Sequence, residues 1–210
     1  FTQSHPLSKK EKKEIFKSLK IYSGFKEEYV DLMTNKFNDM TIHKGNIQNK
    51  KRNVIYEGNN PILFEYDKEL YYPSIYLLEM FNAGKCHNII QNCALIYDNT
   101  IEYIINGADL MLKGVINKND IKNNEQKFKL NDLFYVQTES GVIVAIGISL
   151  VDKSTMNIEQ PSGKFLRIIY KLEDSLYNLG IKKELKPIVE QINTDNLNEE
   201  PKKHENIELV

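Results

Sequence analysis

The chain has 210 residues, of which 41% are hydrophobic and 27% charged, and its formal net charge is −1. This balance excludes an intrinsically disordered chain and predicts a globular protein with room for one large or two small domains. The longest uncharged apolar run, from Val142 to Val151, is too short for a membrane span of about 20 residues. The Lys-rich start also lacks the apolar segment of a signal peptide. We therefore expect a cytoplasmic protein with no membrane partner.

Charge is distributed unevenly along the chain. Residues 1–60 contain 12 Lys and Arg against 7 Asp and Glu, a net charge of +5, whereas residues 61–180 contain 11 against 15, a net charge of −4. An electrostatic contact with an anionic partner is therefore expected to begin in the N-terminal part. The basic run Lys9 to Lys13 is interpreted as a solvated helix face, with RNA contact as the alternative.

Patterns typical of catalysis and of metal or nucleotide binding are missing from the sequence. It contains no G-x-x-x-x-G-K-[ST], G-x-G-x-x-G, G-x-S-x-G or H-E-x-x-H pattern. Cys86 and Cys93 have C-x6-C spacing, with His87 beside the first, whereas structural zinc needs four ligands, normally in closely spaced pairs. Both cysteines are predicted to be reduced thiols. The sequence thus predicts a protein that is not an enzyme and holds no metal or cofactor.

The N-terminal half has the pattern of helices around a β-hairpin. Ser8 and Glu11 form an S-x-x-E capping box, followed by Ile15 and Leu19 on one helix face. The further predicted elements are a helix over Lys26–Phe37, a hairpin of Asn53–Glu57 and Pro61–Tyr66 turning at Gly58-Asn59-Asn60, a turn at Asp67-Lys68-Glu69, and a helix over Ser74–Phe81. Three tyrosines are interpreted as packing residues and not as a base-stacking platform: Tyr71, Tyr72 and Tyr76.

The C-terminal half has the pattern of a small barrel made of short strands. After a connection over residues 82–98, a short helix is predicted from Thr100 to Asn106, and Gly107 ends it. The elements predicted next are a strand at Ala108–Leu112, a surface loop at Asn117–Lys129, strands at Leu133–Gln137, Val142–Val151 and Phe165–Tyr170, and a closing helix at Glu173–Leu179. Glu173 and Asp174 are interpreted as acids in the first turn of that helix.

One segment of this half is a candidate for phosphate contact. From Asn106 to Gly114, two glycines and an alanine surround a short strand, so the backbone is predicted to lie bare at a helix–strand junction. Small residues allow another backbone to approach closely, and free N–H groups can bind phosphate. The alternative is a tight turn inside a barrel.

Several runs resemble a known family when they are taken together. Gly107-Ala-Asp-Leu-Met111, followed by Gly141-Val-Ile-Val-Ala-Ile-Gly147, resembles the signature of the PUA domain, and Asn131-Asp132-Leu133 also matches it. Upstream, Asn60-Pro-Ile-Leu-Phe-Glu65 and Tyr72-Pro-Ser-Ile-Tyr76 resemble the domain that precedes PUA in two families of translation factors. These are the malignant T-cell-amplified-sequence family and the ligatin (eukaryotic translation initiation factor 2D) family, and the runs are more similar to the second. The resemblance covers residues 1 to about 180.

The resemblance implies an α+β protein with an N-terminal pre-PUA α/β domain followed by a PUA β pseudo-barrel. We expect the pre-PUA domain at residues 1–95, the PUA domain at 96–180, and a C-terminal linker or tail at 181–210. Full ligatin continues into winged-helix and SUI1-type domains, for which 210 residues leave no room. The chain is therefore expected to be a fragment or a short form.

The resemblance also implies an RNA-binding translation initiation or reinitiation factor. Such a factor binds the small ribosomal subunit and helps place or release tRNA at the P site without GTP. Its PUA domain meets the tRNA acceptor end or ribosomal RNA. The implied RNA-binding residues are Gly107, Ala108, Asp109, Leu110, Met111, Lys113 and Gly114. The family usually has Pro-Gly at the end of this segment, where Lys113-Gly114 adds a charge that can reach phosphate. The alternative is an accessory RNA-binding protein of ribosome biogenesis or RNA modification.

Overall fold

The computed structural model describes residues 2–19, 25–47, 50–67, 70–82, 89–125 and 127–180. The N-terminal part of these residues forms an antiparallel five-stranded sheet with the strand order β1-β2-β3-β4-β5. Its strands are Gln3–Pro6 (β1), Met40–Ile47 (β2), Lys50–Glu57 (β3), Asn60–Asp67 (β4) and Leu70–Pro73 (β5). Two helices, Lys9–Leu19 (α1) and Glu27–Lys36 (α2), lie between β1 and β2 in the chain, and Ile75–Asn82 (α3) follows β5.

The capping box predicted at the start of α1 is confirmed. The Ser8 N–H donates to Glu11 Oε2 at 2.9 Å, and the Glu11 N–H donates to Ser8 Oγ at 3.3 Å. These bonds satisfy N–H groups that have no partner within the helix. Hydrogen bonds from the Ser8 side chain and backbone lower the pKa of Glu11 to about 2. Ile15 and Leu19 are buried, as the helical spacing predicts.

The β3–β4 hairpin is also confirmed, with Gly58 at a φ of +57° in its turn. Tyr71, Tyr72 and Tyr76 are all buried, which agrees with a packing role. Strands β1 and β2 were not predicted. All four residues of β1 are exposed, and it is held on β2 by backbone pairing from Gln3↔Lys44 to Pro6↔Thr41. Such pairing leaves no apolar alternation in the sequence for pattern analysis to detect.

The second sheet has the order β6-β8-β9-β10-β7. Its strands are Cys93–Ile96 (β6), Leu110–Met111 (β7), Leu133–Thr138 (β8), Ile143–Ser149 (β9) and Lys164–Lys171 (β10), with the short helices Ile101–Ile105 (α4) and Lys118–Asn123 (α5). Only β6 and β8 are parallel neighbours; the other pairs are antiparallel. Residues 82–98 therefore contain a strand and not only a connection, and β6 spans the predicted domain boundary between residues 95 and 96.

Two further predictions in this half are wrong. The expected surface loop over residues 117–129 contains α5, and its Phe128 is buried against Phe134 and Phe165. The expected closing α-helix over residues 173–179 is instead a turn followed by the 3₁₀ helix Tyr177–Leu179, and Glu173 in the turn has a φ of +62°, outside the α-helical region. The Asp174 carboxylate accepts the N–H groups of Lys171 at 3.2 Å and Tyr177 at 2.7 Å, so it shapes this turn.

The segment from β7 to Asn117 closes the second sheet into a pseudo-barrel. At one end β7 pairs with β10. At the other end the Ile116 N–H donates to Leu95 O at 2.8 Å, beside the open edge of β6. The Asn117 side chain continues this edge: Oδ1 accepts the Leu95 N–H at 2.8 Å, and Nδ2 donates to Cys93 O at 3.0 Å. A carboxamide thus makes the two hydrogen bonds that a further strand residue would make.

One of the two apolar clusters contains side chains from both sheets, and the other lies within the second sheet's barrel. Phe64 of β4 lies with its ring centroid 5.2 Å from that of Tyr170 of β10, and both side chains belong to the same buried cluster. Helix α3 contacts β4 of the first sheet and β9 of the second. The Tyr76 ring of α3 stacks on Tyr177 at 5.2 Å, and its hydroxyl donates to Tyr177 O at 2.7 Å. The contacts on both sides of α3 therefore fix the orientation of the two sheets.

Among the described helices, none is long and apolar enough to cross a membrane. The described part of the chain also contains no cluster of three potential metal-ligating side chains. Cys93 is a free thiol, and burial raises its pKa to about 11. Cys86, His87, the Lys68-Glu69 part of the second predicted turn, and the predicted tail over residues 181–210 lie outside the described residues.

The barrel closure by Asn117 gives a stability prediction. In Asn117→Asp, Oδ1 can still accept the Leu95 N–H, but the second carboxylate oxygen faces the Cys93 carbonyl and cannot donate. We expect the free energy of unfolding to fall by about 1–3 kcal/mol, the typical cost of a part-buried polar group without its partner. Urea denaturation measures this. The control, Asn119→Asp, makes the same change at an exposed position of α5; equal losses in both variants would contradict the closure.

Candidate nucleic-acid interface

The candidate segment begins where α4 ends. The N–H groups of Asn106, Gly107 and Ala108 donate to the carbonyl oxygens of Glu102, Ile104 and Tyr103 at 2.9–3.0 Å. Gly107 has a φ of +98°, so it is the left-handed residue that ends the helix, as predicted. The expectation of free N–H groups is wrong at Gly107 and Ala108, because the last carbonyl groups of α4 already accept both of them.

The predicted RNA-binding residues do not share one environment. Gly107, Ala108 and Lys113 are exposed, whereas Asp109, Met111 and Gly114 are half-buried. Leu110 is 2% exposed and belongs to the core of the barrel. Side-chain contact with a ligand is therefore open to Ala108 and Lys113, while Leu110 anchors the segment from inside.

Asp109 ties the segment to β10. Its Oδ1 accepts the Ile168 N–H at 3.2 Å, and its Oδ2 accepts from Lys164 Nζ at 2.8 Å. The Asp109 side chain thereby continues the β7–β10 pairing by one further hydrogen bond, and the Lys164 ammonium balances its charge. The Lys164 side chain remains 62% exposed. Asp109 thus positions the segment, while Lys164 presents a cation at its surface.

The two glycines of the segment have different requirements. A Cβ added to Gly107 meets nothing within 4 Å, but the positive φ of this residue is strained for any other L-amino acid. A Cβ added to Gly114 makes an ordinary contact of 3.6 Å with Leu110 Cδ1, and the φ of Gly114 lies outside the left-handed region. The backbone therefore requires glycine at position 107 and tolerates alanine at position 114.

Tyr103, which sequence analysis missed, presents a large aromatic surface beside this segment. Its side chain is 69% exposed, and its carbonyl oxygen accepts the Ala108 N–H at 3.0 Å. The signal was present in the sequence: the spacing of Ile101, Ile104 and Ile105 directs these residues inward and leaves position 103 on the opposite face of the helix. Exposed aromatic rings bind bases by stacking.

The candidate segment has cations of its own, and the sequence has a second basic run on α1. Lys113 and Lys164 belong to the segment itself and its anchor, and Lys171 Nζ donates to Ile105 O at 2.6 Å, at the end of α4. The Lys9–Lys13 run lies on α1, where Lys9, Lys10 and Lys13 are exposed and Lys12 Nζ donates to the Phe37 carbonyl. Three lysines of this run are therefore exposed on the helix and one is hydrogen-bonded, and both interpretations of the run stay predictions.

The comparisons with known proteins agree with this two-part architecture. Residues 1–81 match the model of the pre-PUA-like domain, and residues 92–175 match the model of the eIF2D PUA domain. The chain therefore consists of a pre-PUA domain followed by a PUA domain. It is a ligatin-like PUA protein, and the resemblance seen in the sequence is confirmed.

Relatives are known from both eukaryotes and archaea. Mouse eukaryotic translation initiation factor 2D is 29% identical over 141 residues, which is 67% of this chain but 22% of the mouse protein. The match thus spans about a fifth of that relative's length. An uncharacterised protein of Methanocaldococcus jannaschii is 26% identical over 82% of this chain and 93% of its own. A solved structure of a hypothetical protein from Pyrococcus horikoshii superposes with a TM-score of 0.65 and 26% identity, covering 85% of this chain and 100% of the other.

The geometry of the α4 end gives a second stability prediction. Gly107→Ala should lower the free energy of unfolding by about 1–2 kcal/mol, because a Cβ is strained at a φ of +98°. Gly114→Ala is the control and should change it by less than about 0.5 kcal/mol. Thermal or urea denaturation of both variants measures the difference. If Gly114→Ala proved the more destabilising, the left-handed cap at Gly107 would be contradicted.

Proposed function

We propose that the chain binds RNA through the end of α4, β7 and the 3₁₀ turn Leu112–Gly114. We further propose that it acts as the N-terminal part of a translation initiation or reinitiation factor. In this role it would bind the small ribosomal subunit and help place or release tRNA at the P site without GTP. The match of residues 92–175 to the PUA domain of eIF2D, together with the pre-PUA match before it, supports this proposal.

One structural observation carries the proposed contact. The exposed Ala108 is bonded through its N–H to the carbonyl of Tyr103, whose side chain is exposed, and Lys113 of the segment and Lys164 of β10 supply exposed cations. The carboxylate of Asp109 is hydrogen-bonded to Lys164 and to the backbone of Ile168. Cations neutralise backbone phosphates and an aromatic ring stacks on an unpaired base. This combination suits a single-stranded end such as the acceptor end of tRNA.

The first functional prediction concerns the surface at Ala108. Ala108→Glu places a bulky carboxylate where a phosphate would approach, without touching a buried side chain. We expect at least a tenfold loss of affinity for tRNA in filter-binding titrations, with an unchanged melting temperature. Ser154→Glu, an exposed position on the 3₁₀ turn Lys153–Thr155, adds the same group as a control. Unaltered RNA affinity in Ala108→Glu would make this segment a structural turn only.

The second functional prediction separates two exposed tyrosines. Tyr103 follows the start of α4 and lies beside Ala108, whereas Tyr97, 54% exposed, precedes the helix at its other end. Tyr103→Ala should weaken the binding of single-stranded RNA by about 1–3 kcal/mol, the usual value of one base–aromatic stack. Tyr97→Ala, the matched control, should leave affinity unchanged. Equal effects of the two substitutions would exclude a specific stack on Tyr103.

Association in cells tests the wider proposal. Purification of the tagged chain with mature small subunits would support the role in initiation. Purification with pre-ribosomal particles would instead favour the accessory role in ribosome biogenesis or RNA modification. Repeating the purification with Ala108→Glu shows whether the association depends on the proposed RNA contact.

A further inference from the structure

A cleft with a volume of ≈ 220 Å³ lies at the junction of the two sheets. The first sheet contributes Lys50 and Arg52 of β3 and Tyr66 of β4 to its lining. The second sheet contributes residues 168–171 of β10, and Asp174 lies in the turn that follows. Two side chains in this cleft are buried and have polar atoms without partners, so the cleft contains hydrogen-bonding capacity that the protein itself does not use.

Arg52 is the first of these side chains. It is 7% exposed, and its guanidinium carbon lies 4.8 Å from the centroid of the Tyr66 ring. The Arg52 Nε is buried and has no hydrogen-bond partner. A buried cation with an unsatisfied donor is costly unless an anion pairs with it. The position of the guanidinium is nevertheless fixed by the Tyr66 ring, so its remaining donors are held ready for a ligand.

Tyr170 is the second side chain. It is 1% exposed, and its hydroxyl has no hydrogen-bond partner. Burial is the main cause that raises the pKa of Tyr170, with the Asp174 charge next, so the hydroxyl keeps its proton and can donate. Its ring is held by Phe64 at 5.2 Å. Tyr170 and Arg52 thus line one small cleft from opposite sheets, and each has a polar atom without a partner.

The other charged groups of the cleft favour an anion. Lys50 is exposed at its rim, and Lys171 Nζ uses one of its donors on Ile105 O. The Asp174 carboxylate also lines the cleft, but its two oxygens accept the N–H groups of Tyr177 and Lys171. The lining of the cleft therefore contains three cations and one neutral donor, against one carboxylate that is already hydrogen-bonded. A forked guanidinium with ammonium groups matches the oxygens of a phosphate.

Strand β10 links the cleft to the candidate RNA segment. Ile168, which lines the cleft, donates its N–H to Asp109 of the candidate segment. Lys171, three residues further, reaches the carbonyl of Ile105 at the end of α4. One strand therefore carries both the anchor of the RNA segment and one wall of the cleft.

We propose that this junction cleft is a phosphate-binding subsite in which Arg52, Tyr170, Lys50 and Lys171 hold one backbone phosphate of the bound RNA. The pre-PUA sheet thereby contributes directly to the contact that the PUA domain begins. As an RNA subsite it rests on the RNA-binding function proposed above. Phosphate is the shared chemistry of RNA and of free inorganic phosphate, and two experimental arms separate these sources.

The first arm uses inorganic phosphate on the full chain. We expect sodium phosphate to raise the melting temperature relative to sodium chloride at equal ionic strength, because a ligand that binds only the folded state stabilises it. Arg52→Met should abolish this rise. Its melting temperature in chloride should not fall, because the substitution removes an unpaired buried cation and keeps an unbranched side chain. Lys17→Met, at an exposed position of α1, is the matched control and should keep the rise.

The second arm measures RNA affinity as a function of salt. Arg52→Met should reduce the slope of log affinity against log salt by about 0.7–0.9, the value of one phosphate contact, and weaken binding about tenfold. Tyr170→Phe removes only the unpartnered hydroxyl, so it provides a second variant if Arg52→Met folds poorly, and it should weaken binding by about threefold to tenfold.

Each result decides between the two proposals. Loss of both the phosphate-induced rise and the RNA affinity in Arg52→Met supports the subsite. Unchanged values in Arg52→Met and Tyr170→Phe, with Ala108→Glu still defective, overturn the subsite and leave the proposed function intact. A phosphate-induced rise that depends on Arg52, in a chain that binds no RNA, overturns the RNA source and the proposed function, and identifies free phosphate as the ligand.

Discussion

The packing of α3 between the two sheets is the contact on which the rest of this structure depends. Tyr76 stacks on Tyr177 and donates its hydroxyl to the Tyr177 carbonyl, which joins residues 101 positions apart. Gly180 passes so close to this ring that an added Cβ would lie 2.3 Å from Tyr76 Cζ. Only a residue without a side chain leaves room for the ring at this distance. The end of the second domain is thereby fixed on the first.

This junction decides which surfaces can act together. Phe64 and Tyr170 place β4 against β10 in the shared core, and β10 also carries the Ile168 N–H that holds Asp109. The candidate RNA segment and the basic end of β3 are therefore both positioned by one strand. If each sheet folded as a separate unit on a free linker, their cations would not present a single surface to one RNA strand. Because the shared core fixes the two sheets relative to each other, binding does not have to order a free linker.

The net charge of the N-terminal part does not show which of its cations are buried and which are solvated. The N-terminal 60 residues carry a net charge of +5, and the Lys9–Lys13 run draws attention to α1. In the structure, Lys12 is engaged with Phe37, whereas Arg52 is buried at the junction with an unsatisfied Nε. Burial makes a single cation more significant than several solvated ones, because the interaction of an exposed charge is weakened by water and salt.

The sequence by itself determined the elements whose signals are local. The capping box at Ser8 and Glu11, the hairpin turn at Gly58 and the helix end at Gly107 follow from short-range hydrogen bonding and backbone sterics, and the structure shows all three. The motif runs also identified the pre-PUA and PUA domains through their resemblance to known families, and both domain models match. Tyr103 could have been found in the same way, from the helical spacing of its isoleucine neighbours.

Tertiary structure alone decided the features that depend on distant partners. The exposed strand β1 exists because β2 pairs with it, and the turn at Glu173 exists because Asp174 accepts two backbone N–H groups. Asn117 closes the barrel by hydrogen bonds to residues 22 and 24 positions away. Arg52 and Tyr170 line one cleft only because the two sheets pack together. Local propensity contains no term for such contacts, since their energy appears only when the chain has brought the two partners together.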